Sequence, residues 1–280
     1  MPKGGYWMLR TMRSGKVIEK SQFYVGERKP RAPKQKGNSS AAKKDQNMNL
    51  AVRCLARIIN CNWGRGDLWL TFKYDEEHFA ALGNDSACAD RTMSLAWRRL
   101  RRELSDLGVK LRGFWITADK DPETGKAVRL HHHAVIGAEG VTVRWSASGE
   151  LEEFSIGGRS VSDIWGQGSV NVEPLRQQGD YTPIALYCIR QAVGGKDAKK
   201  WHTTRGLEKP VIESERILAT HRELRAPGGA VVSEVGHYDA ESGTHYIRYV
   251  RKPRPPKVGG RKEAAIWRED SEKGEEGRYT

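Results

Sequence analysis

The stretch Arg129-Leu130-His131-His132-His133-Ala134-Val135-Ile136 sets the organisation of this 280-residue chain. As a β-strand it places His131 and His133 on one face and His132 on the other, because successive side chains alternate. Two imidazoles on one strand face can bind a divalent metal ion if a neighbouring strand supplies a third ligand. The alternative is an exposed polar strand edge. The triplet therefore predicts either a metal site or an exposed polar strand edge.

The composition, 38% hydrophobic and 30% charged, is typical of a soluble globular protein with polar extensions. No run of about 18 apolar residues is present, and the first residues contain no apolar signal segment. We therefore expect a cytoplasmic protein with no membrane partner.

The net charge of +13 is concentrated at the two ends of the chain. Residues 1–53 carry 13 basic and 3 acidic side chains, residues 251–280 carry 9 and 6, and residues 54–250 are balanced at 26 and 26. Basic flanks suit contact with the phosphates of a nucleic acid. They are equally typical of solubilising tails, so charge alone does not decide the function.

The apolar spacing predicts an α+β domain whose elements follow in the order βαββαβα. The predicted strands are residues 68–74, 111–117, 129–136 and 169–175, and the predicted helices are residues 89–107, 161–165 and 180–193. A hairpin near residues 141–145 is inserted after the histidine strand. This order predicts a ferredoxin-like, or RNA-recognition-like, core with a central antiparallel sheet.

Four regions are predicted along the chain. Residues 1–47 form a hairpin and a flexible basic linker; residues 48–212 form the main domain, which begins with a helix over 49–62. Residues 213–250 form a small accessory unit, in which a helix over 212–225 precedes paired strands over 231–235 and 244–250. Residues 251–280 form a disordered tail.

The helix over 89–107 is predicted to be amphipathic. Its arginines at 98, 99, 101 and 102 point outward, toward either DNA or solvent. Its inward positions are Met93, Leu95, Ala96, Leu100, Leu104 and Leu107.

The helix over 180–193 carries Tyr187 and Arg190, which lie about 60° apart around the helix axis and so share a face. A phenol can attack a phosphodiester if a metal ion polarises the phosphoryl oxygens and a nearby cation offsets the developing charge. The alternative for Tyr187 is a core tyrosine with its hydroxyl at the rim.

Five segments together resemble the rolling-circle replication initiators of the HUH endonuclease superfamily, and most closely the phage and plasmid proteins similar to filamentous-phage initiators. The resemblance covers roughly residues 45–212. The segments are Asp67-Leu68-Trp69-Leu70-Thr71-Phe72-Lys73-Tyr74, Leu130-His131-His132-His133-Ala134-Val135-Ile136, Ile164-Trp165-Gly166-Gln167-Gly168, Tyr187-Cys188-Ile189-Arg190 and Thr204-Arg205-Gly206-Leu207-Glu208-Lys209-Pro210.

The resemblance implies a role for each site residue. His131 and His133 match the metal-binding histidines, and Asp119 is the carboxylate nearest the position of the third ligand; its alternative is a turn aspartate. Tyr187 matches the nucleophile that nicks origin DNA, stays on the 5′-phosphate and frees a 3′-hydroxyl. Arg190 stands where the family has lysine, which exchanges a compact ammonium for a planar fork.

The implied cofactor is Mg²⁺ or Mn²⁺, which suits imidazole, oxygen and water ligands. The implied partners are single-stranded origin DNA, a host helicase and a host polymerase. Other functions stay open at this point. One is a non-catalytic protein that binds single-stranded DNA through the basic arm and through aromatic side chains such as Trp69, Trp97 and Trp115. Another is a zinc hydrolase that uses the three histidines. A plasmid mobilisation relaxase is disfavoured, because relaxases usually carry the tyrosine before the histidine cluster.

Overall fold

The computed structural model describes residues 5–26, 41–193, 200–217, 224–235 and 244–251. Within these ranges the chain forms antiparallel sheets and five helices, so the predicted α+β class is confirmed. The helices are α1 (Ala41–Asn62), α2 (Glu76–Leu82), α3 (Ser86–Asp106), α4 (Val161–Trp165) and α5 (Thr182–Gln191). No helix in the described ranges is both long enough and apolar enough to cross a membrane.

The strands belong to three sheets. They are β1 (Tyr6–Ser14), β2 (Val17–Val25), β3 (Leu68–Lys73), β4 (Gly113–Lys120), β5 (Ala127–Ile136), β6 (Val141–Trp145), β7 (Leu151–Ile156), β8 (Arg159–Ser160), β9 (Val170–Pro174), β10 (His202–Thr203), β11 (Val211–Ile217), β12 (Val231–Val235) and β13 (His245–Val250). The inserted hairpin is present as β6 and β7, and β8 extends it to three strands.

The central sheet has the strand order β10-β4-β5-β3-β9, and every neighbouring pair is antiparallel. The histidine strand β5 lies in the middle, where His133 pairs with Thr71 on β3 and with Ile116 on β4. Each predicted core strand and helix is found, within three residues of its predicted ends.

The two faces of the central sheet are covered by different helices. One face packs against α3 and α4, through buried side chains that include Phe72, Met93 and Trp165. The other face packs against α1 and α5, through Ile59, Ile116 and other buried residues. The alternating side chains of β5 therefore point into two different environments.

The second sheet has the order β11-β1-β2-β13-β12, so the N-terminal hairpin is joined to strands from the last part of the described chain. Glu19 on β2 accepts hydrogen bonds from Arg57 on α1 over 2.6 and 2.9 Å. Arg248 on β13 donates to Asp180, just before α5, over 2.7 Å. These contacts fix the second sheet against α1 and the start of α5. The predicted division of the chain into four regions stays a prediction.

The predicted helix over residues 212–225 is wrong. Residues 211–217 form the strand β11, which pairs with β1 in a register that sets Arg13 opposite Val211 and Trp7 opposite Ile217. Tertiary pairing with a distant strand overrides the local helical pattern here. Residues 218–223 lie outside the described part of the chain.

The predicted linker and the predicted helix face also need correction. Residues 41–47 are the first turns of α1, in keeping with the helix preference of Ala, Lys and Gln. Leu95 and Leu107 are 50% and 48% exposed, because the buried stripe of α3 runs through residues 89, 93, 96, 100 and 104. The rest of the predicted linker, residues 27–40, and the predicted tail from residue 252 lie outside the described residues.

Candidate active site

His131 and His133 lie side by side on the face of β5 that is covered by α5. The Nε2 atom of His131 is 3.1 Å from the Nε2 atom of His133, and the two rings meet edge to face. His132 points to the opposite face and is fully buried. The structure thus brings together the two histidines that the strand alternation selected.

The outer nitrogen of each ring is held by its own partner. Nδ1 of His131 donates to the carbonyl oxygen of Arg129 over 2.9 Å, which leaves a lone pair on its Nε2. Nδ1 of His133 is hydrogen-bonded to the Thr71 hydroxyl at 3.1 Å. Such partners orient metal-binding histidines and fix their tautomers.

The pair fits a divalent metal ion. Two ligand atoms that each lie about 2.1 Å from one ion, with an angle of about 90° at the ion, are about 3.0 Å apart. This is close to the 3.1 Å between the two Nε2 atoms. Without an ion, the two Nε2 atoms need one proton between them, because two facing lone pairs repel each other. Metal binding therefore competes with that proton, and neutral imidazole is the form that binds.

Burial, together with the neighbouring His131 and Lys73, lowers the pKa of His133 to about 3. A hydrogen bond with Gln191 opposes this shift. His133 is thus neutral at physiological pH, as a metal ligand must be.

Tyr187 lies next to His133, on the exposed face of α5. The centroid of its ring is 5.5 Å from that of His133, and 40% of the residue is exposed. The Trp69 ring stacks on His133 at 4.9 Å and meets Tyr187 edge to face at 5.9 Å. Tyr187 is therefore not a core tyrosine, because its ring contacts His133 and Trp69 and is also exposed to solvent.

Arg190 is exposed, three residues after Tyr187 on the same helix. Within the described ranges its side chain makes no hydrogen bond or ion pair, so its guanidinium is available to a ligand. Its role stays a prediction.

Asp119 is not gathered with the histidine pair. No group of three or more His, Cys, Asp and Glu side chains is placed to hold a metal ion within the described ranges. The pairing of β4 with β5 shifts between Ala118 and Lys120, and Ala118 is the residue opposite His131. One carboxylate oxygen of Asp119 is buried without a hydrogen-bond partner, 3.7 Å from the Lys120 ammonium. Its assignment as third ligand stays a prediction.

The sequence did not reveal the contributions of Thr71 and Gln191. Gln191 follows Tyr187 by one helical turn and is 2% exposed; its amide donates to the Tyr187 carbonyl over 3.4 Å. The spacing of four residues on one helix face was the available signal for Gln191. Thr71 could have been found only from the register of β3 against β5.

His132 anchors the histidine strand from the other side of the sheet. The Tyr74 hydroxyl donates to its Nε2 over 2.8 Å, and its Nδ1 donates to the Thr117 hydroxyl over 3.0 Å. Thr117 in turn donates to Asp90. Burial lowers the pKa of His132 to about 3, so the ring is neutral and both of its nitrogens are satisfied. The network fixes the strand on which the histidine pair is mounted.

Two clefts are bordered by residues of the site. One, of about 420 Å³, is lined by Trp69, Arg176, Ile184 and Tyr187, among others. The other, of about 330 Å³, is lined by Lys73, Arg129, His131 and neighbouring residues.

Comparison with known proteins gave one match. Residues 67–191 match the model of a protein family described as Replication-associated protein ORF2/G2P. No curated protein and no solved structure matched the chain. The matched segment runs from β3 to the end of α5 and includes the histidine pair and Tyr187. Over residues 67–191 the chain is therefore similar to the Replication-associated protein ORF2/G2P family, in keeping with the predicted resemblance to rolling-circle replication initiators.

Proposed function

We propose that this protein starts rolling-circle replication by nicking one DNA strand with Tyr187, next to a divalent metal ion held by His131 and His133. The observation that carries the proposal is the contact of Tyr187 with His133, whose rings are 5.5 Å apart beside the converging Nε2 atoms. The family match supports a role in replication and hence DNA as the partner.

The strand order supports the HUH endonuclease arrangement. Taken along the chain, β3, β4, β5 and β9 are the first to fourth strands, and their order in the sheet is 4-1-3-2. This is the order of a split βαβ fold, with α3 and α4 as its two connecting helices. The strand that carries the histidine pair then lies between two others, where neighbouring side chains can hold it rigidly.

Tyr187 would act as the nucleophile. Its oxygen forms a bond to the phosphorus of the scissile phosphodiester, and the bond from that phosphorus to the 3′-oxygen breaks. The leaving oxygen takes up a proton to become a 3′-hydroxyl, which balances the proton lost by the phenol. A bound Mg²⁺ or Mn²⁺ would polarise the phosphoryl oxygens. The 3′-hydroxyl is a primer for a host polymerase.

The remaining residues would bind and orient the strand. Lys73 lines one cleft and Arg176 lines the other, so each cleft holds a cation. Arg190, exposed on the helix of Tyr187, offers a further cation for the phosphate. Asp119 is the carboxylate proposed to complete the metal site, together with water.

The test is incubation of the chain with Mn²⁺ and labelled single-stranded oligonucleotides from the surrounding replicon. We expect a covalent protein-DNA adduct on a denaturing gel, mapped by mass spectrometry to Tyr187. The variant Tyr187→Phe should lose both nicking and adduct while still binding DNA. Tyr6→Phe, which removes a tyrosine hydroxyl from the remote strand β1, is the matched control.

Nicking by Tyr187→Phe at the rate of the unmodified chain would refute the proposal. DNA binding without any adduct would instead favour a non-catalytic single-stranded DNA-binding protein. Metal-dependent turnover without an adduct would favour a hydrolase.

A further inference from the structure

A further cavity, separate from the two clefts of the site, lies at the end of β4 that is remote from the histidine pair. It has a volume of about 660 Å³ and is lined by Trp97, Arg101, Lys110, Thr203 and Arg205, among others. Gly113 pairs with Ile136, whereas Ala118 pairs with His131, and these two positions of β4 are about 17 Å apart. The cavity is therefore distinct from the clefts beside Tyr187.

The segment Thr204-Arg205-Gly206 builds one wall of this cavity. The backbone N–H of Gly113 donates to the Thr204 hydroxyl over 3.1 Å, and the Thr204 N–H donates to the Gly113 carbonyl over 2.9 Å. Gly206 has a φ of +80°, and a Cβ there would lie 2.9 Å from the Lys110 ammonium. The segment is thus anchored to β4, and the missing side chain of Gly206 leaves room for the Lys110 ammonium.

Three cations line the cavity without partners. Arg101, Lys110 and Arg205 are exposed, and none of them forms an ion pair or a side-chain hydrogen bond in the described ranges of the chain. Like charges that share one cavity repel each other, and an anion would relieve that repulsion. Thr203 adds a hydroxyl. A phosphate is the anion that suits such a set of donors.

The cavity also has an apolar wall. Trp97 lies against the backbone of Gly113, where a Cβ would come within 2.7 Å of the indole ring. Val109 and Leu111 complete the apolar part of the lining. A ligand with a phosphate and a flat aromatic base matches both halves of the cavity.

We propose that this cavity binds one nucleotide of a single-stranded DNA chain, with its phosphate on the three cations and its base against Trp97. A strand held here is held at a second point, far from the scissile phosphate. This inference concerns binding alone and does not depend on the chemistry of Tyr187. The occupant is a nucleotide within a DNA strand, not a free nucleotide.

The test is fluorescence anisotropy of a labelled single-stranded oligonucleotide with the full chain over a series of salt concentrations. The double variant Arg101→Gln/Arg205→Gln should bind several-fold more weakly. The slope of log K against log salt should fall by up to about 0.7, the value expected for the loss of one phosphate contact on a single strand. Arg102→Gln, an exposed arginine of the same helix outside the cavity lining, is the matched control.

Restoration of the slope by Arg101→Lys/Arg205→Lys would support the proposal. A double Gln variant with the affinity and slope of the control would overturn it. Photocrosslinking of an iodouracil-substituted oligonucleotide should label the peptide that holds Trp97, and labelling confined to peptides around Trp69 would overturn it. Displacement of the oligonucleotide from this peptide by equimolar thymidine monophosphate would also overturn it, because the cavity would then prefer free nucleotide.

The formation of the Tyr187 adduct is measured separately, at saturating DNA. Its absence in the unmodified chain would refute the nicking proposal and leave the binding result in force.

Discussion

The rings of His131 and His133 meet at right angles with their Nε2 atoms 3.1 Å apart. In this arrangement one proton or one cation must lie between the two nitrogens. Because Nδ1 of His131 is committed to the Arg129 carbonyl, the shared proton is carried by Nε2 of His133 when no ion is bound. The chemistry of the site therefore depends on which cation occupies this position.

Replacement of either histidine should remove metal binding. For His133→Ala we expect the affinity for Mn²⁺ to fall by more than about tenfold, since one of two protein nitrogens is lost. Isothermal titration calorimetry of the full chain with Mn²⁺ measures this. His78→Ala, a half-buried histidine at the start of α2, is the control and should bind as tightly as the unmodified chain. Equal affinities of the two variants would mean that the pair binds no metal ion.

Thr71→Val should weaken the metal site without removing a ligand. The Thr71 hydroxyl holds Nδ1 of His133 at 3.1 Å, and valine keeps the branched shape while it removes this partner. Partners of metal-binding histidines typically contribute about 10- to 100-fold in affinity. The same calorimetric titration should show a loss in this range. Thr142→Val, on the exposed part of β6, is the control, and an unchanged affinity in Thr71→Val would show that the hydroxyl does not orient His133.

The local pattern was sufficient to predict the histidine pair and its strand. Strand alternation depends only on neighbouring residues, so it separated His131 and His133 from His132 correctly. The shared helix face of Tyr187 and Arg190 was predictable in the same way, from their spacing of three residues. Thr71 was not, because its contact with His133 depends on the register of two strands that are distant in sequence.

The wrong prediction of a helix over residues 212–225 has a non-local physical origin. Residues 211–217 are extended because β1 pairs with them, although β1 precedes them by about two hundred residues. No local pattern contains that partner. The irregular pairing between Ala118 and Lys120, on either side of Asp119, is equally invisible in the sequence. Non-local hydrogen bonding, not residue preference, fixed both of these segments.

Thr117→Val should destabilise the protein. Thr117 accepts a hydrogen bond from His132 and donates one to Asp90, so its loss leaves a buried donor and a partly buried carboxylate without their partner. An unsatisfied buried group costs about 1–3 kcal/mol. Urea denaturation of the variant should show a loss of free energy of unfolding in this range. A stability equal to that of Thr142→Val would show that the His132 network does not support the strand.

Glu19 should make the stability of the protein depend on pH in the acidic range. Burial raises the pKa of its carboxyl, but hydrogen bonds from Arg57 and Tyr246 outweigh burial, and the net pKa is lowered. A carboxyl with a lowered pKa in the folded state stabilises it above the unfolded pKa of about 4.3, and this contribution is lost as the pH falls through the folded value.

Urea denaturation between neutral pH and about pH 3 measures this dependence. Glu19→Gln should lose about 1.5–3 kcal/mol at neutral pH, because a charged hydrogen-bonding partner of Arg57 is removed. Its stability should also fall less steeply in acid than that of the unmodified chain. Glu215→Gln, which removes an exposed carboxylate of β11, should follow the unmodified chain at every pH. If Glu19→Gln did the same, the contact between β2 and α1 would contribute nothing to the acid sensitivity, and the second sheet would be held by its other contacts.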